Sequence, residues 1–115
     1  MHTTPRFLQG SYPFEGRGLC KPVPIDPALA YTVAPGVTGQ ALYFRGGNST
    51  DEMITVLLMR DGRPMRYFPI GARDGTHVSL RVVEDLISGT QVELHVAAPE
   101  GCAGIVFVDL GLLEV

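Results

Sequence analysis

Glycine and proline interrupt this sequence so often that no long regular element fits between them. The 115 residues include 14 glycines and 9 prolines, and both residue types interrupt helices and strands. No stretch longer than about five residues has a helical pattern. The remaining β-branched and aromatic runs recur roughly every 8 to 12 residues with turn-forming residues between them, which is typical of an antiparallel sandwich.

The clearest local feature is a hairpin. Residues 53–60 and 63–70 are apolar runs separated by Asp61-Gly62, a dipeptide that supplies the positive φ angles of a two-residue turn. Such a turn fixes which residues lie opposite one another. The expected pairs are Leu58 with Met65, Val56 with Tyr67, Leu57 with Arg66, and Thr55 with Phe68.

Further strands are expected at residues 29–33, 40–45, 78–82, 92–96 and 105–110. Residues 84–88 are expected to form one helical turn at most. We therefore predict an all-β fold, an antiparallel β-sandwich or jelly roll of six to eight short strands. The sandwich domain is expected to span residues 29–115.

Residues 1–28 are predicted to form an extended proline-rich arm. Five of the nine prolines lie here, and each removes a backbone donor, so we expect no regular element. The segment also carries many apolar side chains, which a free linker would not. We expect it to lie against its own sheet or against a neighbouring subunit.

Charge and cysteine content exclude several functions. The net charge is -3 with no block of like charge, which argues against nucleic-acid binding. No apolar run is long enough to span a membrane, and the first residues do not resemble a signal peptide, so we expect a cytoplasmic protein without membrane insertion. Cys20 and Cys102 could form one disulfide, but two reduced thiols are the favoured interpretation.

The charged fraction is low, and this observation motivates our main functional hypothesis. Charged residues make up 18% of the chain, against about a quarter in most globular proteins. The strands at 53–60 and 105–110 are apolar on both faces, so we expect their second faces to be covered by the arm or by another copy. This predicts a homo-oligomer acting as a partner-binding accessory subunit. The expected interface residues are Phe7, Tyr12, Phe14, Leu57, Met59, Phe68, Val106, Val108 and Leu110.

Two polar clusters are candidate binding sites. Arg60, Arg63 and Arg66 surround the hairpin turn, where they could dock an anion or an acidic partner. A second cluster could bind a small ligand or a carbohydrate, with Tyr43 or Tyr67 as the stacking surface, although for its residues 48–52 the closing of a turn is the favoured interpretation. The members of this cluster are Tyr43, Arg45, Asn48, Asp51 and Glu52.

We predict no catalytic residues and no cofactor. The chain contains neither G-x-S-x-G nor a phosphate-binding glycine loop. The remaining alternative is a metal-dependent enzyme using His77 and His95, which requires adjacent strands with both rings on one face. His2 falls in a loose end.

Residues 43–96 resemble the sensory rhodopsin transducer family. The resemblance is carried by Gly46-Gly47-Asn48, the long hairpin, and the stretch PIGARDGTHVSLRVVEDL at 69–86. Members of that family are small soluble sandwich proteins that assemble as oligomers and bind partners. The resemblance covers about half of the chain and implies a non-enzymatic, partner-binding sandwich.

Overall fold

All the regular secondary structure in the described part of the chain is β-strand. The computed structural model describes residues 3–115, and these contain nine β-strands and no helix. None of them belongs to a helix long and apolar enough to cross a membrane. The strands are β1 (Thr4–Glu15), β2 (Gly18–Pro24), β3 (Ala30–Thr32), β4 (Gly39–Asn48), β5 (Ile54–Arg60), β6 (Arg63–Ile70), β7 (Gly75–Ser79), β8 (Gln91–Ala98) and β9 (Ala103–Glu114).

These strands form two antiparallel sheets. Sheet A has the order β1-β9-β4-β7, and sheet B has the order β2-β8-β5-β6, with the short β3 also paired to β8. Strands that follow one another in sequence, such as β1 and β2 or β8 and β9, belong to different sheets. This order is that of a jelly roll. The predicted all-β sandwich is therefore confirmed, with nine strands instead of six to eight.

An apolar core fills the space between the sheets. Phe44 of β4 stacks on Phe68 of β6 with their ring centroids 4.3 Å apart. Alternate residues of each strand point into this core. Five side chains predicted to form an outer interface are buried here instead, namely Phe14, Phe68, Val106, Val108 and Leu110. Val106, Val108 and Leu110 were expected on a covered outer face of the 105–110 strand, but they point into the core. Both faces of this strand are apolar, so the sequence pattern does not show which face is buried.

The N-terminal segment is part of the sandwich. The prediction that it contains no regular element is wrong, because β1 pairs with β9 along its whole length, from Thr4 opposite Glu114 to Glu15 opposite Ala103. β1 lies at the edge of sheet A. Edge strands tolerate proline because one side of the strand needs no donor. Pro5 and Pro13 therefore do not exclude a strand in this segment.

The hairpin turn forms as predicted, but the pairing beyond it is shifted. Asp61 and Gly62 have φ angles of 50° and 81°. Arg60 lies opposite Arg63, but a bulge follows, and the unpaired residue is Met65. Met59 pairs with Pro64 before the bulge, and the pairs beyond it are Leu58 with Arg66, Leu57 with Tyr67, Val56 with Phe68, Thr55 with Pro69, and Ile54 with Ile70. The predicted pairs are each wrong by one residue, because a bulge moves every later side chain to the other face.

The segment between β7 and β8 is irregular. β7 starts at Gly75 and ends at Ser79, earlier than the predicted strand at 78–82. Residues 84–88, for which one helical turn at most was expected, contain no helix. Leu86 instead makes an isolated bridge with Gly39, in which each backbone N–H donates to the other's carbonyl at 2.8 Å. Leu86 is fully buried, so burial of its side chain fixes this segment against the sandwich.

Candidate functional site

The outer face of sheet A brings together aromatic and polar side chains from four strands. Directly opposed residues of antiparallel strands lie on the same face, so the strand pairing defines three neighbouring rows. The rows are Phe7, Gly111, Tyr43 and Ser79; then Gln9, Asp109, Arg45 and His77; then Ser11, Phe107, Gly47 and Gly75. We refer to these twelve residues as the sheet A face.

Aromatic rings occupy the outer rows of the sheet A face. Phe7 and Phe107 are 50% and 51% exposed, and Tyr43 is half-buried. Glycines on neighbouring strands make room for two of the rings. A Cβ atom on Gly111 would overlap the Tyr43 ring, and one on Gly47 would lie 3.2 Å from Cδ2 of Phe107. The rings therefore rest against the backbone of the next strand, which holds them on the surface of the sheet.

The middle row is polar, and its groups contact Tyr43. The Tyr43 hydroxyl donates to Oδ1 of Asp109 at 3.1 Å. The Arg45 guanidinium carbon lies 5.7 Å from the centre of the Tyr43 ring, and His77 meets the same ring edge-on at 6.2 Å. Burial, and then the hydrogen bond to Asp109, raise the pKa of Tyr43. The hydroxyl therefore stays protonated at neutral pH and orients the Asp109 carboxylate.

A shallow depression lies on this face between β4 and β9, lined by Arg45, Gly46, Gly47, Phe107, Val108 and Asp109. Its volume is about 230 Å³. Arg45 and Asp109 supply a donor and an acceptor at its margin, and the Phe107 ring supplies an apolar wall. A flat molecule with one apolar face and polar groups around its rim fits this combination of surfaces.

The predicted ligand cluster is divided by the structure. Tyr43 and Arg45 lie on the sheet A face, whereas Asn48 is buried and serves the loop after β4. Its Nδ2 donates to the carbonyl of Glu52 at 2.7 Å, and its Oδ1 accepts from Oγ1 of Thr50 at 2.8 Å. Asp51 forms an ion pair with Arg73, and this pair lowers the pKa of Asp51. Asn48 therefore closes a turn, as the favoured interpretation of residues 48–52 predicted.

Two of the three arginines at the hairpin turn share a single carboxylate. Glu84 accepts from Nη1 of Arg60 at 3.3 Å and from Nη2 of Arg66 at 2.8 Å. Arg63 makes no ion pair with any residue that the structure describes. Glu84 comes from the irregular segment after β7, so its approach could not be inferred from the hairpin sequence. One carboxylate between two guanidiniums weakens the case for an anion site at this tip.

The histidines do not assemble a metal site. His77 lies on β7 in sheet A, and His95 lies on β8 in sheet B, so the predicted requirement of adjacent strands is not met. Residues 3–115 contain no group of three or more potential ligands placed to hold a metal ion. His2 lies outside the described residues. Cys20 and Cys102 are both free thiols.

The other predicted interface residues lie in three different settings. Phe7 is exposed on the sheet A face, while Tyr12 packs against the core. Leu57 and Met59 lie on the outer face of sheet B, as predicted, but they are only 3% and 6% exposed because they form a small cluster with Ala97. No common surface collects the predicted set.

Sequence reasoning missed several members of the sheet A face, above all Phe107 and Asp109. The strand that carries them, β9, is apolar on both sides, and this concealed the outward alternation of Ile105, Phe107 and Asp109. The available signal was Asp109 itself, since a charged residue in a strand marks the exposed face. Gln9 was missed because its segment was not predicted to be a strand.

Comparisons with known proteins support the fold. No protein-family model matches the sequence, and no curated protein matches it. Among solved structures, the CBM36-1 domain of a multidomain xylanase from the hindgut metagenome of Trinervitermes trinervoides is similar, with a TM-score of 0.61, 17% identity and 96% of each chain covered. A family 35 carbohydrate binding module from Clostridium thermocellum has a TM-score of 0.51 and 15% identity over 95% of this chain and 97% of that one.

The chain shares the β-sandwich fold of these two domains. At such low identity the likeness describes the fold and not the site. Neither structure bears on the resemblance to the sensory rhodopsin transducer family, which stays a prediction.

Proposed function

We propose that this chain is a non-catalytic carbohydrate-binding module that holds a sugar on the sheet A face. The observation that carries the proposal is the pair of half-exposed rings, Phe7 and Phe107, on either side of a polar row that contains Asp109 and Arg45. The two solved structures of the same fold, both named as carbohydrate-binding domains, add support.

The chemistry of a pyranose ring matches this surface. One face of such a ring presents C–H groups that pack on an aromatic ring, while its hydroxyls project around the rim. Rows of side chains on one face of a strand are about 7 Å apart, which is close to the size of one sugar ring. A sugar packed on Phe107 would then place hydroxyls near the acceptor oxygens of Asp109 and the donors of Arg45.

The carboxylates of the sheet A face do not favour hydrolysis. Most glycoside hydrolases use two carboxyl groups about 5 to 9.5 Å apart, one on each side of the scissile bond. Among the twelve residues of the sheet A face, Asp109 is the single carboxylate. It already accepts a hydrogen bond from the Tyr43 hydroxyl. We therefore assign Asp109 to binding.

Isothermal titration calorimetry with soluble xylan, galactan and mixed-linkage glucan tests the proposal. We expect at least one polysaccharide to bind, and we expect Phe7→Ala and Phe107→Ala each to weaken binding about tenfold, because each removes a half-exposed stacking ring. Tyr67→Ala is the matched control, since Tyr67 is an exposed aromatic residue on sheet B. Absence of binding to all three polysaccharides, or equal losses in the control, would contradict the proposal.

Self-association remains a prediction of the sequence. The hypothesis of an oligomerising accessory subunit was based on nine side chains, of which five lie in the core. Phe7 is the large exposed member of the set, and it belongs to the proposed sugar site.

A further inference from the structure

The outer face of sheet B contains a trough with an apolar floor. Leu57 of β5 and Ala97 of β8 form the floor and are 3% and 2% exposed, because the side chains around them cover most of their surface. The walls come from β2 on one side and β6 on the other. The residues that line this trough are Leu19, Cys20, Pro22, Thr55, Leu57, Pro64, Tyr67 and Ala97.

The trough has the size and chemistry of a small-molecule site. Its volume is about 310 Å³, and none of its lining residues is charged. Small-molecule pockets start near 300 Å³ and are mostly apolar with a few polar groups. In this trough those groups are the hydroxyls of Thr55 and Tyr67 and the thiol of Cys20. An apolar cavity of about 150 Å³ holds benzene, so this trough has room for two fused rings.

The walls favour a ring-shaped ligand over a protein surface. Tyr67 is 62% exposed and Leu19 is 49% exposed, so both stand above the nearly inaccessible floor. A flat protein surface would contact these two rims and leave the space of about 310 Å³ between them unfilled. A planar ring can enter between the walls and contact Leu57, Pro22 and Pro64 together.

A polar group without a partner lies on the same face. His95 is directly opposite Leu57 in the pairing of β5 and β8, and its Nε2 is buried with no hydrogen-bond partner among the described residues. Burial lowers the pKa of His95, although the charge of Glu93 acts in the opposite direction.

We propose that the trough binds a small neutral compound with one or two fused rings, independently of the sheet A face. The probe is 2-naphthol, whose binding to the whole chain is followed by its fluorescence. We expect saturable binding at one site. Tyr67→Ala is expected to weaken it about tenfold by removing one wall, and Ala97→Phe is expected to abolish it by filling the floor. Ala97 is buried, so Ala97→Phe could prevent folding. Tyr67 is exposed, so we expect Tyr67→Ala to fold and to test the proposal by itself.

The two thiols supply an internal control. Cys20 lines the trough, whereas Cys102 lies between β8 and β9 and packs against the core. We expect saturating 2-naphthol to slow the alkylation of Cys20 by iodoacetamide at least about tenfold, as occupancy of the site requires, and to leave the rate at Cys102 unchanged. Mass spectrometry of the two cysteine-containing peptides measures both rates in one sample. Equal effects on both thiols, or none, would overturn the proposal.

The matched variant is Phe107→Ala, which removes an aromatic ring of similar exposure from sheet A. It should leave 2-naphthol binding unchanged.

Sedimentation should show the same mass with and without 2-naphthol. A dimer that Tyr67→Ala converts to a monomer would assign the trough to a second copy of the chain and refute a small-molecule site. Loss of polysaccharide binding would not affect this test, because the two sites share no residue.

Discussion

At the scale of single residues, Glu114 connects the two sheets. Its side chain, at the end of β9, is 10% exposed. Its carboxylate accepts a hydrogen bond from the Tyr31 hydroxyl on β3 of sheet B. It accepts a second one, 3.2 Å long, from Nε of Arg6 on β1 of sheet A. Burial, followed by the hydrogen bond to Glu114, raises the pKa of Tyr31 to about 12. The pKa of Glu114 is lowered, chiefly by the hydrogen bond from Tyr31, with Arg6 adding to the effect.

These shifts predict a loss of stability at both extremes of pH. The folded pKa of Tyr31 lies above its ordinary value, so its contribution is complete below pH 10 and is lost as the pH rises through about 12. The folded pKa of Glu114 lies below its ordinary value, so its contribution is present above that value and is lost as the pH falls through the folded pKa. Thermal unfolding across the pH range measures both losses.

Two variants separate the contributions. In a phenolate absorbance titration, one tyrosine should ionise near pH 12, and Tyr31→Phe should remove that component. Glu114→Gln should flatten the acid limb of the stability profile, because a carboxamide does not titrate. An unchanged acid limb in this variant would show that Glu114 is not the group responsible.

At the scale of elements, the bulge at Met65 decides which aromatic residue of β6 is buried. It places Phe68 in the core, where it is 3% exposed and stacks on Phe44, and it leaves Tyr67 on the outer face of sheet B. A two-residue turn without a bulge would exchange these two positions. The wall of the trough therefore depends on one additional residue in the hairpin.

This arrangement gives a direct test of the pairing. Phe68→Ala is expected to cost about 3 to 5 kcal/mol of unfolding free energy, because it leaves a cavity between the sheets. Tyr67→Ala is expected to cost about 0.5 kcal/mol or less, as an exposed substitution. Urea unfolding of both variants measures the difference. If Tyr67→Ala were the more damaging substitution, the unbulged pairing would be correct.

At the scale of the whole molecule, the two ends of the chain close sheet A. β1 pairs with β9 from Thr4 opposite Glu114 onward, and its Leu8 and Phe14 side chains are buried in the core. β2 performs a similar role in sheet B by covering one side of β8. The segment predicted to be an accessory arm thus supplies one strand to each sheet.

Deletion of residues 1–28 should therefore unfold the protein. It removes β1 and β2 and exposes the inner surface of the core beside β9 and β8. Circular dichroism during heating is expected to show no cooperative transition, whereas the full chain shows one. An arm that only rested on the surface would leave the midpoint nearly unchanged, and such a result would show that β1 and β2 are not integral strands of the sandwich.

The sequence by itself determined the features that depend on neighbouring residues. The glycine and proline spacing predicted an all-β chain, and Asp61-Gly62 predicted the turn, because backbone conformation at a turn is set by the residues within it. Tyr43 and Arg45 were also recognised as candidate binding residues. The tertiary structure alone decided which face of β9 is buried, where the hairpin bulges, and that β1 belongs to sheet A. These features depend on contacts between residues far apart in sequence. Phe7, Tyr43 and Phe107 share one surface only because β1, β9 and β4 are neighbours in the sheet.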